Sequence, residues 1–123
     1  MTIWQDRNFP VLELGPQFDF IDVWKDELRD SIEEMVLVEF SYNGFHRVVE
    51  PYEVGETIDR NFLLRCFQID GESFSGRVVG WKLFRLDYIS TLQSLVEEFS
   101  PRGDYFTLEE FWTETPLFSI SRK

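Results

Sequence analysis

Asn43-Gly44 lies between two runs rich in β-branched and aromatic residues, Val36–Tyr42 and Phe45–Val54. That dipeptide is the strongest short-range hairpin signal, because both turn residues must take positive φ. The hairpin commits the middle of the chain to antiparallel β-structure, and its surroundings follow. Ahead of it, Ile21, Trp24, Leu28, Ile32 and Met35 recur at helical spacing, with Asp22, Asp26, Glu27, Asp30, Glu33 and Glu34 opposite them. The spacing predicts an amphipathic helix over 20–34 with Asp19 as N-cap. After it, Phe62–Ile69 and Arg77–Leu86 read as a third and fourth strand, with a bend at Gly80. Pro51 weakens the later part of the second strand. Gly55–Asn61 and Asp70–Gly76 read as loops. Ile89–Phe99 fits a helix by its apolar spacing and a strand by its Thr91–Leu95 alternation, and the pattern leaves both open. Residues 1–20 read as an extended arm with a short strand at Val11–Leu14. In 100–123, a C-terminal extension, Thr107-Leu108-Glu109-Glu110 matches a capping box for a short helix over 108–113.

The expected architecture is mainly β (α+β): an N-terminal helix, then sequential strands in a meander that curls into a small five-stranded barrel. The domain spans 21–99 of a 123-residue chain, a length that suits one core. With 43% hydrophobic and 17% aromatic residues, wholesale disorder is excluded.

Charge narrows the function. The net charge is −11, of which −6 falls on residues 1–35, −3 on 36–97 and −2 on 98–123. The whole field opposes broad duplex binding. The middle segment still carries half of the basic residues, so a local anion pocket is compatible with it. The acidic helix face is a surface for a basic protein partner. One cysteine, Cys66, permits no internal disulfide and no cysteine-held zinc. No apolar run reaches membrane-spanning length, and the N-terminus has no signal-peptide pattern, so a cytoplasmic protein with no membrane partner is expected.

The candidate ligand residues are polar side chains of the barrel segment: Arg47, Arg65, Gln68, Ser73, Ser75, Arg77 and Arg85, with His46 beside the turn. Arg65 alternates with Leu63, Phe67 and Ile69, and an arginine among apolar neighbours needs a partner. Surface pairing with the surplus acids is the bland alternative for each arginine. Asp70–Arg77, with its glycines and serines, is a candidate anion cradle, although an ordinary hairpin loop is the commoner meaning of such a stretch. His46 has no nucleophile or orienting partner in sequence, so no catalysis is expected. Thirteen Phe, four Tyr and four Trp suit stacking platforms, but packing explains most of them. Trp4, Phe9, Phe106, Phe111, Trp112 and Phe118 exceed what a small barrel buries, and a homodimer is expected from them. No metal or cofactor motif is present.

Two segments resemble a known family. Arg47-Val48-Val49-Glu50-Pro51-Tyr52-Glu53-Val54-Gly55 is similar to the "R-x-(apolar)-x-P" segment of WYL domains. Trp81-Lys82-Leu83-Phe84-Arg85-Leu86-Asp87-Tyr88-Ile89 is similar to their "R-x-F-R-L-D-R-I" segment. Leu64–Gln68 falls where the naming Trp-Tyr-Leu strand belongs, and the triplet itself is Phe62-Leu63-Leu64. Lys82 stands at the first arginine of the later motif and Tyr88 at the last, so two guanidinium forks differ. The resemblance covers about residues 24–99. It implies a strongly bent, Sm-like, SH3-type barrel acting as a non-catalytic, ligand-sensing regulatory module of bacterial type. Its expected ligand is a nucleotide or single-stranded nucleic acid, held by Arg47 and Arg65 with Lys82 as a further contact. The winged-helix DNA-binding domain that often precedes such domains has no room in the first 20 residues.

Overall fold

In a computed structural model, the residues described are 20–73, 76–107 and 115–120. The first element among these residues is the expected helix, α1 (Phe20–Glu34), which buries Trp24, Leu28, Ser31 and Ile32. Its proposed N-cap, Asp19, lies outside the described residues, as do the strand placed at 11–14 and the helix placed at 108–113. The helix stops at Met35, whose φ of +57° is left-handed. A methionine takes that conformation only where packing offsets its cost, and Met35 lies against the core.

Six strands follow among the described residues: β1 (Val36–Tyr42), β2 (Phe45–Glu56), β3 (Phe62–Gly71), β4 (Gly80–Arg85), β5 (Ile89–Glu98) and β6 (Thr115–Ser119). Asn43 and Gly44 both have positive φ, +56° and +79°, and close the β1–β2 hairpin as expected. Pro51 does not end β2, because the ladder to β3 shifts register between Pro51 and Glu53 and accommodates the missing N–H. Ile89–Glu98 is a strand, which settles the segment that the pattern left open. β4 begins at Gly80, three residues later than the sequence indicates, with Gly80 at φ +148°.

Two expectations about topology are corrected. The strands are sequential only through β4. The sheet order is β4-β3-β2-β1-β5, so β5 crosses over to pair with β1. The sheet is also open rather than a closed five-stranded barrel: its path ends on β4 at one side and β5 at the other, and the sixth strand, β6, joins β2. β2 is long enough to take β1 along Phe45–Val49 and β6 along Glu53–Glu56, while β3 runs along its other edge. A 3-10 turn (Leu86–Tyr88) links β4 to β5, and a second (Gly103–Thr107) precedes β6.

α1 packs on this sheet through both apolar and polar groups. The Trp24 Nε1–H donates to the Ile89 carbonyl at 3.1 Å. Glu27 turns away from the acidic face where the sequence pattern put it. Its carboxylate accepts from the Ser94 N–H at 3.1 Å and from the Ser94 hydroxyl, which also lies 2.6 Å from the Ser31 hydroxyl. The core runs from Leu28 and Ile32 through Val38, Phe40, Val49, Leu64, Cys66 and Phe84 to Tyr52 and Tyr105. Phe106 and Phe118, two of the surplus aromatics, pack against it. Trp4, Phe9, Phe111 and Trp112 lie outside the described residues.

Candidate ligand site at the Arg47 corner

Strand alternation and register divide the polar side chains between two faces. On one face Gln68 stands opposite Val49 and Gly80, and Cys66 stands opposite Lys82. Arg47, two residues before Val49, joins them. On the other face Phe67 stands opposite Glu50 and Trp81, and Arg65 opposite Glu53 and Leu83. Arg47 and Arg65, paired in expectation as one site, therefore lie on opposite faces.

Arg47 is buried, with 3% of its surface exposed. Its guanidinium packs against the rings of Phe84, Tyr42 and Phe45 at 5.1, 5.8 and 5.8 Å. Nη1 donates to Gln68 Oε1 and Nη2 to the Tyr42 carbonyl, both at 3.3 Å. Nε is buried with no hydrogen-bond partner among the described residues. The acceptors are neutral oxygens, so burial depresses the Arg47 pKa, and the nearby charge of Glu72 offsets this in part. The Gln68 amide N–H groups donate to the carbonyls of Asp70 and Glu72 at 3.0 and 2.9 Å. Gln68 thus joins Arg47 to the chain leaving β3.

Lys82, half-buried on β4, faces the same corner. Its ammonium donates to the Arg77 carbonyl and to the Ser73 hydroxyl, the latter at 3.3 Å. Burial, then the positive charges of Arg47 and Arg77, hold its pKa below the ordinary lysine value. Arg47, Gln68, Ser73, Lys82 and the backbone of Arg77 are therefore brought together. Ser75 lies outside the described residues.

Three expected contributors are elsewhere. His46 points to the exposed side and pairs with Glu39 at 2.9 Å. Arg85 donates to Asp87 at 3.0 and 2.6 Å and to Asn61 at 3.2 Å. Arg65 is buried on the opposite face. In Asp70–Arg77, where an anion cradle is one reading, three backbone donors among the described residues are engaged within the chain, and Phe74 and Ser75 lie outside those residues. The Gly71 N–H donates to Asp70 Oδ1, that of Glu72 to the His46 carbonyl and that of Gly76 to the Ser73 carbonyl.

A second network escaped the sequence. Glu50 is buried, yet its two oxygens take the fork of Arg102, Nε to Oε1 at 2.9 Å and Nη2 to Oε2 at 3.1 Å. The Tyr52 hydroxyl donates to Glu50 Oε1 at 3.0 Å and accepts from the Arg102 N–H at 2.8 Å. Burial pushes the Tyr52 phenol well above its ordinary pKa. Arg102 sits in Ser100-Pro101-Arg102-Gly103, a stretch without periodic pattern that gives no sign of this contact. The one available signal was Glu50, an acid on an apolar strand that requires a cation.

No family model and no curated protein matches the chain. Among solved structures it is similar in fold to proteasome accessory factor B/C (PafBC) of Arthrobacter aurescens, with a TM-score of 0.57 at 20% identity over 74% of this chain. The matched region is 14% of that protein. A likeness at this identity concerns the fold.

Proposed function

We propose that the chain is a WYL-like, non-catalytic regulatory module that senses a small anionic ligand, a nucleotide or a short single strand, at the Arg47 corner. The motif order Arg47–Gly55 and Trp81–Ile89 supports the family reading, and the fold likeness to a segment of PafBC is in keeping with it. The observation that carries the ligand is Arg47: a buried guanidinium held by neutral acceptors, with Lys82 beside it. A carboxylate pair would have made the corner self-sufficient. An anion reaching it gains a buried guanidinium beside a half-buried ammonium, and the fork of Arg47 suits phosphate. It competes for Lys82 with the Arg77 carbonyl and Ser73, so binding loosens the chain between β3 and β4.

The test is thermal unfolding at low salt with nucleotides, cyclic nucleotides and short single strands. At least one class should raise the melting temperature, and Lys82→Ala should abolish the rise while Arg65→Gln keeps it. Silence from wild type toward all of them ends this reading. The acidic face of α1 is the weaker place for a basic partner. Asp22 and Asp26 pair with Lys25 and Arg29, and Glu27 is turned inward.

A further inference from the structure

On the face of the sheet opposite Arg47, the residues that hold Arg102 form a receptor. Glu50 supplies both carboxylate oxygens from a side chain 8% exposed. Phe67, its register partner on β3, supplies a ring 3.7 Å below the guanidinium. The Tyr52 hydroxyl fixes Glu50 and also reads the backbone N–H of the arginine that enters. Tyr52 and Phe67 are braced in turn by Trp81, at 4.8 and 5.2 Å. The occupant is less buried than its receptor: the Arg102 side chain is 41% exposed. It arrives on an irregular segment between Pro101 and Gly103.

We propose that Glu50, Tyr52 and Phe67 form a guanidinium receptor for an arginine of a partner protein, with the segment around Arg102 as its built-in competitor. The partner's chemistry follows from what displacement requires. Removing Arg102 alone strands a buried carboxylate, which is strongly unfavourable. Whatever replaces the segment must therefore bring a guanidinium of its own. A lysine satisfies one oxygen and stacks less well on Phe67. The net charge of −11 draws a basic segment toward the chain, whereas a neutral apolar segment gains nothing from it. The partner class is thus a basic protein presenting arginine in an extended stretch. Arg102 is covalently tethered and acts at an effective concentration of roughly millimolar, so it excludes weak arginine-bearing partners and yields to multivalent ones.

The experiment compares wild type with Arg102→Ala, titrated with the blocked tripeptides Pro-Arg-Gly and Pro-Lys-Gly, reading melting temperature and the Trp81 indole N–H resonance. The expected result is binding of the arginine peptide by Arg102→Ala at least about tenfold tighter than by wild type, little response to the lysine peptide, and loss of binding in Glu50→Gln/Arg102→Ala. A folded Arg102→Ala that ignores the arginine peptide, or answers both peptides equally, overturns the proposal. If Arg102→Ala does not fold, Arg102→Lys takes its place, since lysine keeps one bond to Glu50. The same arginine preference is then required of it, and its absence is equally fatal.

Discussion

Two glycines with similar backbone angles make different demands. Gly44, at φ +79°, has nothing within 4 Å of where a Cβ would stand, so only its conformation matters. Gly71, at φ +100°, would place a Cβ 2.2 Å from the His46 carbonyl oxygen, the acceptor of the Glu72 N–H. Gly44→Ala should therefore cost about 1 kcal/mol in chemical denaturation. Gly71→Ala should cost clearly more, because backbone must move as well, and it should disturb the Gln68 contacts that lead to Arg47. Arg47 itself gives a third contrast. Its guanidinium is desolvated without a carboxylate on it, but it serves the buried Gln68 Oε1 and the Tyr42 carbonyl, so Arg47→Met should lower stability by about 1–3 kcal/mol in urea unfolding while losing any nucleotide response. A purely structural arginine gives the same drop with the nucleotide response kept.

At the scale of elements, most of the local structure was legible because it is local. The period of Ile21–Met35 and the Asn43-Gly44 turn each follow from residues a few positions apart. Ile89–Glu98 was not legible, since its alternation and its helical spacing coexist and pairing with β1 decides between them. β6 and the 3-10 turn at Gly103–Thr107 were missed because both depend on β2, from 52 to 66 residues earlier. Of the candidate ligand residues, Arg47, Gln68, Ser73 and Lys82 lie at one corner. Arg65 lies on the other face, which follows from its odd spacing from Gln68 along β3. Helix docking yields its own prediction. Leu28 is fully buried, so Leu28→Ala should lower stability by roughly 2–5 kcal/mol in urea unfolding.

For the whole molecule, acid is the condition that matters most. The hydrogen bond from His46, then that from Gln93, holds Glu39 below the ordinary glutamate value of 4.5, and Arg85 holds Asp87 below 3.8. A carboxylate whose folded pKa is depressed contributes stability above its unfolded pKa and loses it as pH falls through the folded value. The melting temperature should therefore decline once pH drops below about 4.5, and Glu39→Gln with Asp87→Asn should flatten that decline. An unchanged slope in the double variant means that other groups govern acid unfolding.

The way β2 is shared has a consequence for self-association. β1 and β6 divide one of its edges, and β3 covers the other, so no long stretch of β2 is left open. Among the described residues the sheet ends on β4, six residues long, and on β5, whose pairing with β1 is bulged and which finishes on Glu97-Glu98. Short, irregular or charged borders are poor templates for a neighbouring chain. β6 is therefore a plug as well as a strand: cutting the chain before Thr115 uncovers Glu53–Glu56, and the trimmed protein should aggregate on concentration where the intact one stays dispersed.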